Sequence, residues 1–125
     1  MRLQILAGHF SVVQLPPGSA VPEWARGEEL WALVRTPQEV SVVCEEAGVP
    51  QGIRAERGWR ALRVEGPLDF SLVGVLSAIA SPLAQAGVSL FAISTFATDY
   101  ILVKGSTLFQ AVEALRNAGH IVEGI

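Results

Sequence analysis

The segment Arg60-Ala-Leu-Arg-Val-Glu65 alternates apolar and polar residues, as a half-buried strand does, whereas residues 72–79 switch to the spacing of a helix. Leu72, Val75, Leu76, Ile79 and Leu83 supply an apolar face, and Ser77, Ser81 and Gln85 fall at i, i+4 and i+8 as a polar stripe. The charge-free run 70–98 is long enough to suggest a membrane span. Gly87 and the strand-like residues 88–93 cut it into a helix followed by a strand, so a span is rejected. Pro82 lies inside the helix, removes a hydrogen bond to the Ala78 carbonyl and predicts a kink. Asp99-Tyr-Ile-Leu-Val103 reads as a strand. Ser106 and Thr107 can cap a second helix with a Leu108, Val112 and Leu115 core stripe, ending at Gly119, before a last strand over 120–123. The order is βαββαβ, which two right-handed crossovers fold into a four-stranded antiparallel sheet with both helices on one face, the ferredoxin-like arrangement.

The N-terminal half reads as a shortened copy of the same plan. Strands are predicted over 3–6, 10–14, 30–34 and 40–44, with a Pro-rich loop over 16–22 and a short helical piece beginning at Glu23, Trp24 and Ala25. Thr36-Pro37-Gln38 makes the turn between the later strands, and residues 48–52 link onward. The expected division is therefore 1–57 for the shortened module and 58–125 for the complete one. Unprotected sheet edges favour the two modules sharing one antiparallel sheet.

A chain of 125 residues, half of them hydrophobic, can bury a core without a disulfide or metal, and its single Cys44 has no internal partner. Cys44 sits in an apolar strand and reads as a small buried hydrophobe. A reducing cytoplasm fits that cysteine usage, and no leader pattern opens the chain. The net charge of −3 gives no electrostatic footprint for nucleic acid, and the basic, aromatic strand that an RNA-recognition domain needs is missing. His9 and His120 are isolated, and no nucleophile elbow, phosphate loop or spaced metal cluster appears, so neither an enzyme nor a metal or cofactor protein is expected. Trp24, Trp31 and Trp59 are dispersed and read as packing residues.

One segment carries more specific chemistry. Gly66-Pro-Leu-Asp-Phe-Ser-Leu-Val-Gly74 follows a strand and opens an apolar helix, whose first backbone N–H groups lack intrahelical partners and favour a carboxylate. Asp69 and Ser71 are placed to assist, although Asp69 serves equally well as a helix cap. Phe70 and Phe96 read either as core or as lids over a ligand, and Asp99 as a turn residue or a ligand carboxylate.

The words Gly58-Trp59-Arg60-Ala61, Val64-Glu-Gly-Pro-Leu-Asp-Phe70 and Gly87-Val-Ser-Leu-Phe-Ala-Ile-Ser-Thr-Phe-Ala-Thr-Asp-Tyr-Ile-Leu-Val103 resemble the ACT-domain family. They are most similar to its stand-alone amino-acid-binding branch, related to the regulatory domains of aspartate kinases and to the arginine sensors called CASTOR. In the N-terminal half the resemblance rests on Leu30-Trp-Ala-Leu-Val34 and Thr36-Pro-Gln-Glu-Val-Ser-Val-Val43. It implies two tandem ACT modules with an amino acid held between them, its α-ammonium and α-carboxylate gripped by main-chain groups. By resemblance, Ser41, Val42, Gly66, Pro67, Leu68, Asp69, Phe70, Ser71, Val73 and Gly74 form the site, with Thr95, Phe96 and Asp99 closing it. The function so implied is that of an amino-acid sensor or regulatory protein, with self-association as a homodimer and a partner protein or enzyme as its outlets. The competing reading is an interaction subunit with a vestigial pocket.

Overall fold

A computed structural model describes residues 1–66, 68 and 73–124. It is a mixed α+β structure, with eight strands and two α-helices among the described residues. The chain divides into two compact units, one made of residues 8–59 and the other of residues 1–7 together with 60–125. The first seven residues therefore go with the C-terminal unit, and not with the shortened module that the sequence places over 1–57.

The unit of residues 8–59 contains β2 (Phe10–Leu15), β3 (Ala32–Arg35), β4 (Val40–Glu45) and the first half of β5 (Ala55–Val64). The ladder order is β3-β4-β2-β5, and each of these pairings is antiparallel. Val13, Val40, Val42 and Cys44 share its core with Ala25 and Val49, and Val21, Trp24 and Ile53 pack on them. The helical piece expected at Glu23 is only a turn, closed by Ala25 N–H donating to the Pro22 carbonyl at 3.1 Å. Gly27 stands two residues later with the Leu30 carbonyl oxygen where a Cβ would lie, so the chain bends there and cannot continue a helix. Among the described residues this unit has no α-helix, and irregular chain covers its sheet face instead.

The other unit has the expected βαββαβ order: the second half of β5, α1 (Val75–Gln85), β6 (Leu90–Ser94), β7 (Asp99–Lys104), α2 (Leu108–Asn117) and β8 (Ile121–Glu123). A fifth strand, β1 (Arg2–Ile5), lies between β5 and β8, giving the order β6-β7-β5-β1-β8. It pairs antiparallel with β5, through Leu3↔Val64 and Ile5↔Leu62, but parallel with β8, through Leu3↔Val122. The reason is in its alternation: Leu3 and Ile5 join Leu62, Val64, Ile101 and Val103 in the core, leaving Arg2 and Gln4 on the wet face.

Both helices cover the core face of this sheet, through Ile79 and Leu83 of α1 and Ala111, Val112 and Leu115 of α2. The predicted polar stripe of Ser77, Ser81 and Gln85 is exposed. Pro82 does lie inside α1. The carbonyl of Ala78, which proline leaves without its helical donor, is 2.9 Å from His120 Nε2. A carbonyl only accepts, so Nε2 carries the proton in this contact. With α1 only 11 residues long, no described helix is long and apolar enough to cross a membrane.

Candidate functional site

The site is built where the end of β5 meets the turn joining β6 to β7. Beyond Val64 the chain passes close to that turn, and Leu68 N–H donates to the Ala97 carbonyl at 2.7 Å. A Cβ on Gly66 would stand 3.0 Å from the Ala97 oxygen and 3.2 Å from Thr98 Cβ, so this glycine serves close approach. On the other side Thr98, buried among these segments, donates its hydroxyl to the Val64 carbonyl at 2.5 Å. Thr95 braces the turn itself: its N–H reaches the Thr98 carbonyl at 2.8 Å, and its Oγ1 accepts from Thr98 N–H at 3.1 Å. Side-chain bonds of this sort compete well with solvent in a tight turn.

These segments and the first turn of α1 enclose a cavity of about 310 Å³, lined by Leu68, Gly74, Val75 and Leu76 on one side and by residues 94–99 on the other. That volume is at the small end of the range for ligand pockets. Helix α1 begins later than the sequence suggests because Gly74 adopts φ 81°, a left-handed conformation that takes the N-cap position without a side-chain hydrogen bond. As in any α-helix the first N–H groups of α1 have no intrahelical acceptor, and Gly74 supplies no capping side chain. No acidic residue occupies that first turn. The positive end of the helix dipole therefore faces the cavity uncompensated by the helix's own side chains.

Opposite charge enters from β7. Asp99 is half-buried, lines the cavity, and accepts from Ser94 Oγ at 2.6 Å through Oδ1. Ser94 and Asp99 are direct cross-strand partners at the mouth of the hairpin, which sets that contact. A cavity with a helix N-terminus on one wall and a carboxylate on another can hold a zwitterion by both ends.

Of the residues expected from sequence, Leu68, Gly74, Thr95, Phe96 and Asp99 come together in this cavity. Gly66 clamps the loop to the turn, and Val73 stands beside Gly74 with 94 % of its surface exposed. Pro67, Asp69, Phe70 and Ser71 lie outside the described residues. Phe96 is 89 % exposed, so it is not a core residue. Ser41 and Val42 are placed differently. Both belong to β4, which is laddered on one side by β2 and on the other by β3, so their main-chain groups are already engaged. Val42 is fully buried in the core of its own unit, and Ser41 donates to Glu39 Oε1 at 2.8 Å. Neither lines the cavity at the β6–β7 turn. Sequence reasoning missed Ser94, Val75, Leu76 and Thr98; the five-residue interval between Ser94 and Asp99 across a short turn was the available signal for the first.

Elsewhere the chemistry is quiet. Cys44 is buried, and burial, with Glu45 nearby, pushes its thiol pKa up. Among the described residues no group of three or more His, Cys, Asp or Glu side chains is placed to hold a metal ion.

Element order and helix placement define the C-terminal unit as a ferredoxin-like α+β module. A family model for the ACT domain matches residues 54–117, and the chain belongs to the ACT-domain family. A second model, for an N-terminal domain, matches residues 8–52. A 59-residue stretch is 41 % identical to the human cytosolic arginine sensor for mTORC1 subunit 1, a match spanning 46 % of this chain but only 18 % of that protein. Among solved structures, an Agrobacterium tumefaciens protein is 34 % identical with a TM-score of 0.91, covering 98 % of this chain and 91 % of its own. The aspartate kinase of Clostridium acetobutylicum shares the fold, with a TM-score of 0.66 at 15 % identity over 93 % of this chain and 33 % of the kinase.

Proposed function

We propose that the chain is an amino-acid-binding regulatory protein whose ligand occupies the cavity between the first turn of α1 and the β6–β7 turn. One observation carries the reading: a cavity of about 310 Å³ is lined both by the N-terminal turn of α1 and by Asp99. The α-carboxylate meets the former and the α-ammonium the latter, the charge pattern common to all amino acids. The similarity to an arginine sensor and membership of the ACT family support a sensing role rather than catalysis. The related sensor is named as cytosolic, and we extend that location to this chain.

Regulation follows from linkage. A ligand shifts an assembly only by binding one of its states better than the other, with coupling of about 1–3 kcal/mol being typical. Self-association as a homodimer, or docking to a partner enzyme, would provide those states. The test is a thermal-shift screen of the purified chain against each common amino acid at millimolar concentration. A selective rise in melting temperature for one chemical class is expected. A flat response to every amino acid would remove this reading and leave the protein-interaction alternative.

A further inference from the structure

We infer that β3 is a self-association edge, to which a second copy of this chain adds its own β3, antiparallel, about a two-fold axis at Val34. The inference takes up the homodimer named above and does not depend on the cavity at α1. It starts from the hairpin of β3 and β4. Thr36 N–H donates to the Glu39 carbonyl at 2.9 Å, and the register runs from there without a shift through Val34↔Ser41 to Ala32↔Val43. Antiparallel ladders alternate, so Val34 and Ala32 turn their main-chain groups toward β4, while those of Leu33 and Arg35 point out of the sheet. Among the described residues β3, β6 and β8 are the strands laddered on one side only. Val34 is the most exposed large hydrophobic on any of them, at 59 %; β8 has Ile121 at 49 % but is only three residues long, and β6 has none. β3 also lacks the usual guards of an open edge. It has no proline, lysine or bulge, and Arg35, its one charge, is turned aside to the Ser19 carbonyl at 2.9 Å.

The edge is complementary to itself. An outward-pointing residue must meet an outward-pointing residue, and a dyad at Val34 satisfies this: Leu33 meets Arg35 of the copy and Arg35 meets Leu33, each pair exchanging both its N–H···O bonds. Val34 then faces Val34 of the copy as the non-hydrogen-bonded pair, with Cα atoms about 4.5 Å apart, and the two exposed side chains cover each other. Carried past the strand ends, the same register sets exposed Trp31 against exposed Pro37 of the copy. Apolar surface thus meets apolar surface at the centre and at both ends. A pairing this short buries less than the ~1,200 Å² of a standard interface, so the dimer is weak and concentration-dependent, the kind of equilibrium that a ligand with modest coupling can shift.

Sedimentation velocity of the full chain from low micromolar to half-millimolar concentration tests the inference. Wild type should pass from monomer toward dimer across this range. Val34→Lys sets two ammonium groups against each other at the dyad, and should raise the dissociation constant about ten-fold or more with an unchanged urea melt. Val34→Cys should form a disulfide-linked dimer under mild oxidation, because a Cα separation of about 4.5 Å lies within disulfide range and the buried Cys44 does not compete. A wild type that stays monomeric throughout would overturn the inference and leave the edge to a strand of another protein. A selective thermal shift with an amino acid in that monomer would leave the amino-acid reading standing. Dimerisation that Val34→Lys does not weaken, or Val34→Cys chains that self-associate without cross-linking, would place the contact elsewhere and likewise overturn the inference.

Discussion

Replacing Asp99 by asparagine separates a ligand carboxylate from a turn residue, because the substitution keeps shape and removes charge. Asp99 accepts from Ser94 Oγ at 2.6 Å, and an asparagine amide oxygen can accept the same bond. The hairpin should therefore keep its stability within about 0.5 kcal/mol. The ligand's ammonium would lose a charge-assisted hydrogen bond worth about 1.5–3 kcal/mol. Asp99 is only half-buried, and solvent screening places the expected loss toward the lower end, at about 1.5–2 kcal/mol, or about ten- to thirty-fold in affinity. Calorimetry with whichever amino acid gives the largest thermal shift reads this directly, and a urea melt checks the fold. Raising salt should weaken the wild-type interaction more than the variant's. Ser94→Ala, which removes a neighbour but keeps the charge, should cost less than Asp99→Asn. Equal affinities for wild type and Asp99→Asn, with unchanged folding, would remove Asp99 from the site.

Other outcomes follow from separate parts of the chain. Gly66→Ala should lower the melting temperature, at an overpacking cost of about 1–3 kcal/mol, since its Cβ would meet the Ala97 oxygen at 3.0 Å; an unchanged melt would mean the loop yields freely. His120→Ala removes the donor to the Ala78 carbonyl and should cost about 1 kcal/mol in denaturant unfolding, whereas a neutral change would show that water replaces it fully. Ser11 is fully buried in β2 with no hydrogen-bond partner for its hydroxyl among the described residues, so Ser11→Ala should be neutral or stabilising by up to about 1 kcal/mol, read from the urea midpoint. Cys44, buried and with its thiol pKa raised, should resist alkylation at pH 7.5 in the folded protein and label readily in denaturant, as followed by mass spectrometry.

The C-terminal elements were legible because their patterns are local. The stretch from Asp99 through α2 to β8 is set by alternation, then by helical spacing, and then by a Gly119 stop. The start of α1 was read too early, since only its backbone reveals that Gly74 takes a left-handed conformation at the N-cap. The fate of residues 2–5 was not legible at all. Alternation of Leu3 and Ile5 says that one strand face is buried, but not which neighbours bury it, and those neighbours are in β5 and β8. Ser41 entered the expected site by resemblance alone, and no local pattern reveals that β4 has partners on both sides. In the cavity, Asp99 and Leu68 were visible from the sequence, while Ser94, Val75 and Leu76 required the hairpin and helix to be placed in space.

The interposed strand β1 also dictates an order of events during synthesis. Its neighbour β8 pairs Arg2 with Ile121, residues made roughly 120 positions apart, or about 6–24 s at ~5–20 residues per second on the ribosome. Residues 8–59 therefore emerge complete while β1 still lacks both neighbours, and Leu6 N–H waits for the Ala61 carbonyl that it meets at 2.9 Å. The β5 side of β1 can close once residues 61–64 are made, whereas its β8 side stays open until residues 121–123 follow. A fragment cut to begin at residue 58 would face the converse difficulty, having β5 and β8 but nothing to fill the row between them.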